Sequence, residues 1–209
     1  MRSNIRTWIA AALVTAAAGL IVGTAFIART AQADDALAPD FTLTDIHGTQ
    51  YRLADLKGKV VVLEWLNFDC PFVQKHYNSH NMQNLQRTYR DRGVVWLSIV
   101  SSAAGKEGYY SPDALNEIAQ KREAAPTAIL MDSDGRVGKL YGARTTPHMF
   151  VINPKGEIVY KGAIDDRRST NPDDVKEAKN YVAAALDEVL GGKAVTVAAT
   201  QPYGCSVKY

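Results

Sequence analysis

The sequence predicts an α/β fold in which helices flank a central mixed sheet, with an N-terminal β-hairpin extension. Three runs rich in apolar and β-branched residues, 60–66, 94–100 and 127–131, are typical of strands buried on both faces of a parallel sheet. Helical segments separate these runs, so we expect the strands they connect to be parallel. Further along, an Asn-Pro-Lys-Gly turn at 153–156 joins two more strands. This hairpin adds an antiparallel pair and makes the sheet mixed.

Turn signals and helix caps place the remaining elements between these strands. In chain order we predict a hairpin over 41–43 and 51–53, a helical turn over 53–56, a strand over 60–66, a helix over 70–90, a strand over 94–100, a helix over 112–124, a strand over 127–131, a short helix over 137–141, a hairpin over 149–152 and 158–161, and a helix over 172–190. Helices therefore alternate with strands through the first half of the chain.

The first 33 residues are predicted to be a targeting segment. Arg2 and Arg6 precede an uncharged stretch over 8–28, and residues 31–33, Ala-Gln-Ala, are similar to a signal-peptidase site. The stretch is also long enough to span a bilayer, so two alternatives stay open: a cleaved signal peptide or an uncleaved N-terminal membrane anchor. In both cases we expect the domain over 34–192 and the tail over 193–209 to be extracytoplasmic, in the periplasm or secreted.

Composition and charge narrow the classes of function. Of the 209 residues, 46% are hydrophobic, which is enough to fill the core of one domain. Removing residues 1–33 lowers Lys plus Arg from 24 to 21 against 22 Asp plus Glu, so the formal net charge changes from +2 to −1. A near-neutral domain without a basic stripe argues against nucleic-acid binding. The two cysteines, in an oxidising compartment, either form a bridge or divide the roles of reacting and resolving thiol.

Cys70 has the local setting of a reactive thiol. It follows the predicted central strand and is predicted to be the first residue inside a helix, with Asp69 as N-cap and Pro71 in the first turn. Because a helix N-terminus carries partial positive charge, this position favours the thiolate. Burial as a small hydrophobe is the other interpretation of a free cysteine.

Glu64 is an acid within the most apolar strand, six residues before Cys70. If its carboxyl is buried and unpaired, its pKa is raised and it can relay a proton to the cysteine. The alternative is a solvated carboxylate at a strand edge.

These residues together resemble a known family. The run Ala-Pro-Asp-Phe at 38–41, a strand ending in Cys70, and Thr146-Pro147 before a strand are similar to the thioredoxin superfamily. Within it they resemble the redoxin branch, which contains alkyl hydroperoxide reductases, thiol-specific antioxidant proteins and membrane-tethered thiol-disulfide oxidoreductases. The resemblance covers about residues 38–190. The tail, with Cys205 between Gly and Ser, is similar to a peroxiredoxin-like subgroup that has a late cysteine.

The resemblance implies a thioredoxin-like fold and a redox function that needs no organic or metal cofactor. Cys70 would attack a disulfide or a peroxide, Glu64 would move the proton, and Cys205 would resolve the resulting intermediate. In the family, the proline corresponding to Pro147 is cis, and the backbone of its loop pairs with an extended substrate segment. Thr146, Pro147 and Pro71 are therefore the predicted substrate-binding residues. The partners would be a disulfide-containing protein or a peroxide, and a thiol electron donor.

The sequence also departs from the family. Val73 stands where thioredoxins have the second cysteine of the CxxC motif, so a self-contained dithiol is absent. Leu63 and Asn67 stand seven and three residues before Cys70, where peroxiredoxins have proline and threonine. Peroxiredoxins have an activating arginine at a position that falls near Pro147 in this sequence, where there is no arginine. Arg144, in the same loop, is the one residue that could take its place.

Two further interpretations remain. The first is a copper-binding or copper-handling protein, because thiolate, imidazole and thioether are soft ligands. Its candidate ligands are Cys70, His76, His80, Met82 and His148. The second is a permanent structural disulfide between the two cysteines in a domain that only binds a partner.

Overall fold

The structure is a computed structural model that describes residues 37–209. The predicted targeting segment over 1–33 lies outside the described residues. In the part of the chain that is described, no helix combines the length and the apolar character needed to cross a membrane.

Strands and helices alternate through the described residues. The strands are β1 (Thr42–Asp45), β2 (Gln50–Arg52), β3 (Val61–Trp65), β4 (Val95–Val100), β5 (Ala128–Met131), β6 (Thr145–Thr146), β7 (His148–Ile152), β8 (Ile158–Gly162) and β9 (Cys205–Ser206). The α-helices are α1 (Pro71–Asn78), α2 (Asn81–Asp91), α3 (Pro112–Lys121), α4 (Arg136–Tyr141) and α5 (Tyr181–Leu190). Two 3-10 helices cover Leu53–Leu56 and Pro172–Glu177.

Seven strands form one mixed sheet in the order β2-β1-β5-β4-β3-β7-β8. The inner strands β3, β4 and β5 are parallel, as expected for strands joined by helical crossovers. The strand β7 runs antiparallel to β3 and forms the predicted hairpin with β8. The N-terminal hairpin of β1 and β2 adds to the other side by pairing antiparallel with β5. The predicted α/β mixed sheet is confirmed.

Both faces of the sheet are buried. All five residues of β3 are buried, as its continuous apolar sequence predicts. Because successive side chains of a strand point to opposite faces, Val62 lies in one apolar cluster with Val73 of α1 and Leu186 of α5, while Leu63 lies in the other with Val137 of α4. Two layers of helices therefore enclose the strand that leads into Cys70.

The helix predicted over 70–90 is two helices, which corrects the expectation. Its first residue inside the helix is Pro71, and Cys70 is the N-cap in place of Asp69. The break falls at His80, which has a left-handed φ of 57° and is the N-cap of α2. The amide of Asn84 donates to the carbonyl of His80, which is the first hydrogen bond of the new helix.

The last predicted helix, over 172–190, is also interrupted. A 3-10 turn covers Pro172–Glu177, and α5 begins at Tyr181. The side chain of Asn180 caps α5 by accepting from the amide of Ala183 at 2.9 Å. The amide of Tyr181 donates to the carbonyl of Ile164, so contact with the segment that follows β8 helps to fix the start of α5.

Candidate functional site

Cys70 lies where the end of β3 meets the start of α1. The neighbouring Pro71 is the first helical residue, where its missing N–H costs no hydrogen bond. The thiol is fully buried, with 0% of the residue exposed. Its Sγ lies 3.0 Å from the carbonyl oxygen of Thr146, which is within hydrogen-bond range. The loop before β7 therefore packs directly against the cysteine.

The C-terminal tail brings Cys205 to the same place. Its strand β9 pairs antiparallel with β6, with Cys205 opposite Thr146 and Ser206 opposite Thr145. The Sγ atoms of Cys70 and Cys205 lie 2.7 Å apart. Both cysteines are free thiols in this structure. The only two cysteines of the chain thus meet at the N-terminus of α1.

The peptide bond between Thr146 and Pro147 is cis, as the family resemblance implies. The adjoining backbone edge, which that resemblance leaves free for an extended substrate segment, is paired with the protein's own tail. Gly204 makes this approach possible. It has a φ of 144°, and a Cβ at this position would overlap the carbonyl oxygen of Thr146.

The two thiols lie in a low-polarity environment that resists ionisation of Cys205. Burial, together with the hydrogen bond and charge of Cys70, raises the pKa of the Cys205 thiol to about 12. Cys205 is accordingly a thiol at neutral pH, and its sulfur accepts a hydrogen bond from the Cys70 thiol. The sulfur that first becomes a thiolate is the one that attacks first, because the thiolate and not the thiol is the nucleophile.

Glu64 is fully buried in β3 and does not lie at an edge. Its Oε2 accepts hydrogen bonds from Trp96 Nε1 at 2.8 Å, Ser98 Oγ at 2.8 Å and Gln86 Nε2 at 3.2 Å. Burial raises the pKa of the Glu64 carboxyl in spite of these three donors. Its Oε1 has no hydrogen-bond partner among the described residues.

Glu64 and Cys70 make no direct hydrogen bond within residues 37–209. In the sheet register, Glu64 lies opposite Met149, two residues after Pro147. The carboxyl thus belongs to the pair of β3 and β7, and β7 follows directly after the loop that packs against Cys70. A proton transfer between Glu64 and Cys70 requires an intermediate carrier such as water.

The candidate copper ligands are dispersed. His76 is buried and its Nδ1 lies 2.9 Å from the side-chain nitrogen of Asn81, while burial lowers the pKa of its imidazole to about 4. His80 sits in the break between α1 and α2. Met82 belongs to the apolar core, and His148 Nδ1 accepts from the Arg144 amide at 3.3 Å. Among the described residues, no three side chains of the His, Cys, Asp and Glu types are placed to hold a metal ion.

The positions that differ from peroxiredoxins have local roles. Asn67 Oδ1 accepts from the amide of Asp69 at 2.9 Å and so shapes the turn before Cys70. Arg144 contributes backbone groups, donating to His148 and accepting from Val207. Within the described part of the chain, its guanidinium makes no hydrogen bond to Cys70.

Sequence analysis missed the pairing of the tail with β6 and the residues that hold the tail in place. Lys75, Asp165 and Tyr203 form a buried polar cluster next to Cys205. One local signal was Gly204 before the cysteine. A lysine on the buried face of α1 was a second, unused signal, because a buried lysine needs a partner.

Comparison with known proteins identifies the family and its relatives. A family model described as the AhpC/TSA family matches residues 35–161. The thiol-disulfide oxidoreductase ResA of Bacillus subtilis is 29% identical over 158 residues, covering 76% of this chain and 83% of that protein.

Solved structures with the same architecture support the fold. A crystal structure of an uncharacterized conserved protein from Geobacillus kaustophilus superposes with a TM-score of 0.69 and 29% identity, covering 83% of this chain and 90% of the other. A hypothetical protein from Sinorhizobium meliloti gives a TM-score of 0.66 at 25% identity, covering 83% of this chain and 92% of the other. The expected thioredoxin-like fold is confirmed.

Proposed function

The chain belongs to the AhpC/TSA family, and from this premise we propose that it is an extracytoplasmic thiol-disulfide oxidoreductase with Cys70 as nucleophile and Cys205 as resolving cysteine. One observation carries the proposal: the two sulfurs of the chain lie 2.7 Å apart at the start of α1. A thiol at that distance needs almost no movement to replace another group bound to Cys70. The similarity to ResA, which is named a thiol-disulfide oxidoreductase, supports the same chemistry.

The reaction takes place in two exchanges. The Cys70 thiolate attacks a substrate disulfide, forming a mixed disulfide and releasing one substrate thiolate. Cys205 then loses its proton and attacks Cys70, which forms the Cys70–Cys205 disulfide and releases the second substrate thiolate. Two electrons have passed from the protein to the substrate. A dithiol donor restores both thiols by the reverse sequence.

Glu64 is proposed to supply or accept the proton that accompanies these steps. Its carboxyl has a raised pKa because it is buried, so it holds a proton more readily than an exposed glutamate does. The unpartnered Oε1 is the atom that would carry this proton. Transfer to the cysteines through water would connect the carboxyl to the site.

A disulfide is favoured over a peroxide as the substrate. Peroxide reduction in the family depends on an arginine beside the cysteine, and the guanidinium of Arg144 makes no hydrogen bond to Cys70 in the described residues. In the family, the backbone of the loop around Pro147 pairs with an extended peptide segment, and in this structure the same edge pairs with an extended segment of the protein's own tail. We therefore propose a disulfide-containing protein as substrate, and a thiol protein outside the cytoplasm as electron donor.

The first test traps the intermediate. Reduced wild-type protein mixed with an aromatic disulfide such as dithiobis(nitrobenzoate) should release both halves of the reagent and retain none by intact mass. The Cys205→Ser variant should release one half and keep the other on Cys70. The Cys70→Ser variant is the control, and it should react far more slowly. Complete turnover by Cys205→Ser with no adduct would contradict the resolving role.

A second test separates a catalytic pair from a structural disulfide. Redox-active pairs have potentials between about −120 and about −270 mV, whereas structural disulfides lie below about −300 mV. We expect the Cys70–Cys205 pair to titrate with thioredoxin-like buffers inside the first range. A pair that stays oxidised in such buffers would show that the bridge is structural.

A further inference from the structure

A buried ion pair lies under the tail beside Cys205. Lys75 of α1 and Asp165, which follows β8, have side chains that are 0% and 1% exposed. Lys75 Nζ lies 3.0 Å from Asp165 Oδ2 and 2.6 Å from the carbonyl oxygen of Arg167. Burying two charges is costly unless they are paired and hydrogen-bonded, and both conditions are met here. Nothing in the exchange mechanism described above uses this pair.

Tyr203 completes the cluster from the tail. Its hydroxyl donates to Asp165 Oδ1 and lies 3.3 Å from Lys75 Nζ. Its ring packs edge-on against Phe72 with 5.7 Å between centroids, and the Lys75 ammonium lies 5.5 Å from the ring centroid. Tyr203 is 5% exposed. The side chain is thus held by a charge-assisted hydrogen bond and by aromatic packing on α1, the helix that Cys70 caps.

Tyr203 is two residues before Cys205, so the position of one limits the position of the other. Two extended residues span about 7 Å, which leaves Cys205 little freedom once the tyrosine ring is fixed. Gly204, between them, adopts the positive φ that brings the backbone against Thr146. The tyrosine and the pairing of β9 with β6 together determine where the Cys205 sulfur lies.

The domain surface is also shaped to receive the tail at other points. A Cβ on Gly162 would overlap Thr200 of the tail, and a Cβ on Gly135 or Gly138 would overlap the ring of Tyr209. Docking at these points holds the tail along its length. Tyr203 differs from these contacts because its hydroxyl is hydrogen-bonded to a buried ion pair.

We propose that Lys75, Asp165 and Tyr203 act as a clamp, here called the tail clamp, that positions Cys205 against Cys70. None of the three touches a reacting sulfur in this structure, so they are positioning residues. Their function is to raise the effective concentration of the Cys205 thiol at Cys70. This inference rests on the proposed function, in which the two cysteines exchange electrons with a substrate.

A positioning role and a merely structural role make different predictions. A structural contact stabilises the reduced and oxidised proteins alike, so its loss lowers the unfolding temperature without changing the disulfide equilibrium. A positioning contact holds the two thiols together, so its loss weakens the disulfide relative to the dithiol. Its loss also frees the tail in the reduced protein and exposes the buried Cys70.

The experiment uses Tyr203→Phe, which keeps the ring on Phe72 and removes only the hydroxyl. The matched control is Tyr89→Phe, whose hydroxyl donates to the carbonyl of Ala183 at 3.0 Å, in the contact of α2 with α5. Each protein is equilibrated with mixtures of reduced and oxidised glutathione, quenched with acid and analysed by mass. In a second assay, the rate of Cys70 alkylation in the reduced protein is followed by peptide mapping.

We expect Tyr203→Phe to lower the equilibrium constant for the Cys70–Cys205 disulfide by about tenfold, since it removes hydrogen bonds to charged groups. Alkylation of Cys70 should accelerate by a similar factor. Tyr89→Phe should leave both quantities at the wild-type value even if it lowers the unfolding temperature. Phe72→Leu, which loosens the ring contact without altering the ion pair, should give a smaller shift in the same direction.

The proposal is overturned if Tyr203→Phe and Tyr89→Phe have the same disulfide equilibrium constant and the same Cys70 alkylation rate. That result leaves the tyrosine with a structural role only. Failure of the proposed function gives a different outcome, because the wild-type protein would then either form no Cys70–Cys205 disulfide at any glutathione ratio or keep it fully oxidised at every ratio.

Discussion

At the scale of single residues, Glu64 is the group whose role can be measured most directly. We expect Glu64→Gln to slow disulfide exchange by at least about tenfold, because a positioned acid or base contributes about a hundredfold or more to proton-transfer steps. The amide can still accept the hydrogen bonds from Trp96 and Ser98, so the fold should be kept. Stopped-flow exchange with a model disulfide measures the rate, and circular dichroism checks the fold. An unchanged rate would return Glu64 to a structural role.

The raised pKa of Glu64 also predicts a pH dependence of stability. A carboxyl whose pKa is higher in the folded than in the unfolded protein stabilises the fold only while it is protonated. Its contribution is complete below the unfolded pKa and is lost as the pH rises through the folded pKa, by about 1.4 kcal/mol for each unit between the two.

Wild-type protein should therefore lose stability relative to Glu64→Gln between acid and neutral or alkaline pH. Urea unfolding at a series of pH values measures the difference in the free energy of unfolding between the two proteins. If that difference does not change with pH, burial does not raise the pKa of the Glu64 carboxyl in the folded protein.

At the scale of elements, the short strand β9 depends on one glycine. Gly204→Ala should weaken the pairing of β9 with β6, because the added methyl group would overlap the carbonyl oxygen of Thr146. Gly192→Ala is the matched control: it also has a positive φ, of 70°, but no heavy atom lies within 4 Å of the added Cβ. Both variants incur the cost of a positive φ, about 1 kcal/mol or more.

Only Gly204→Ala should expose the site. We expect faster alkylation of Cys70 in this variant and a wild-type rate in Gly192→Ala, measured on the reduced proteins. Equal rates in the two variants would show that the tail does not shield Cys70.

At the scale of the whole molecule, the two cysteines would close most of the domain into a loop. They are 135 positions apart in the sequence, and in the chain-entropy model a bridge of this length stabilises the folded state by about 5 kcal/mol. The oxidised protein should therefore resist urea more than the reduced protein by up to this amount. Cys205→Ser, measured with and without reductant, is the control and should show no difference. Identical unfolding of oxidised and reduced wild type would contradict a disulfide between the two cysteines.

Much of this architecture could be predicted from the sequence. The apolar runs that became β3, β4 and β5 predicted strands, and the strand-to-helix position of Cys70 predicted the site, because both depend on residues within a few positions of each other. The breaks at His80 and Asn180 were not predicted. The residues at these breaks, Asn-Ser-His-Asn at 78–81 and Asn180, favour helix caps and turns over helix interiors, so the sequence did carry a signal that was not used.

The tertiary structure alone decided what surrounds Cys70. Lys75, Asp165 and Tyr203 come from three distant parts of the chain, and local patterns cannot show that they share one buried cluster. The same holds for Cys205: the sequence showed that a second thiol existed and that the tail was long enough to reach the first. Its placement beside Cys70 follows from the pairing of β9 with β6, which exists only once the sheet has folded and the Thr146 edge is formed. Local sequence thus determined that Cys70 lies between a strand and a helix, and long-range packing determined which thiol lies beside it.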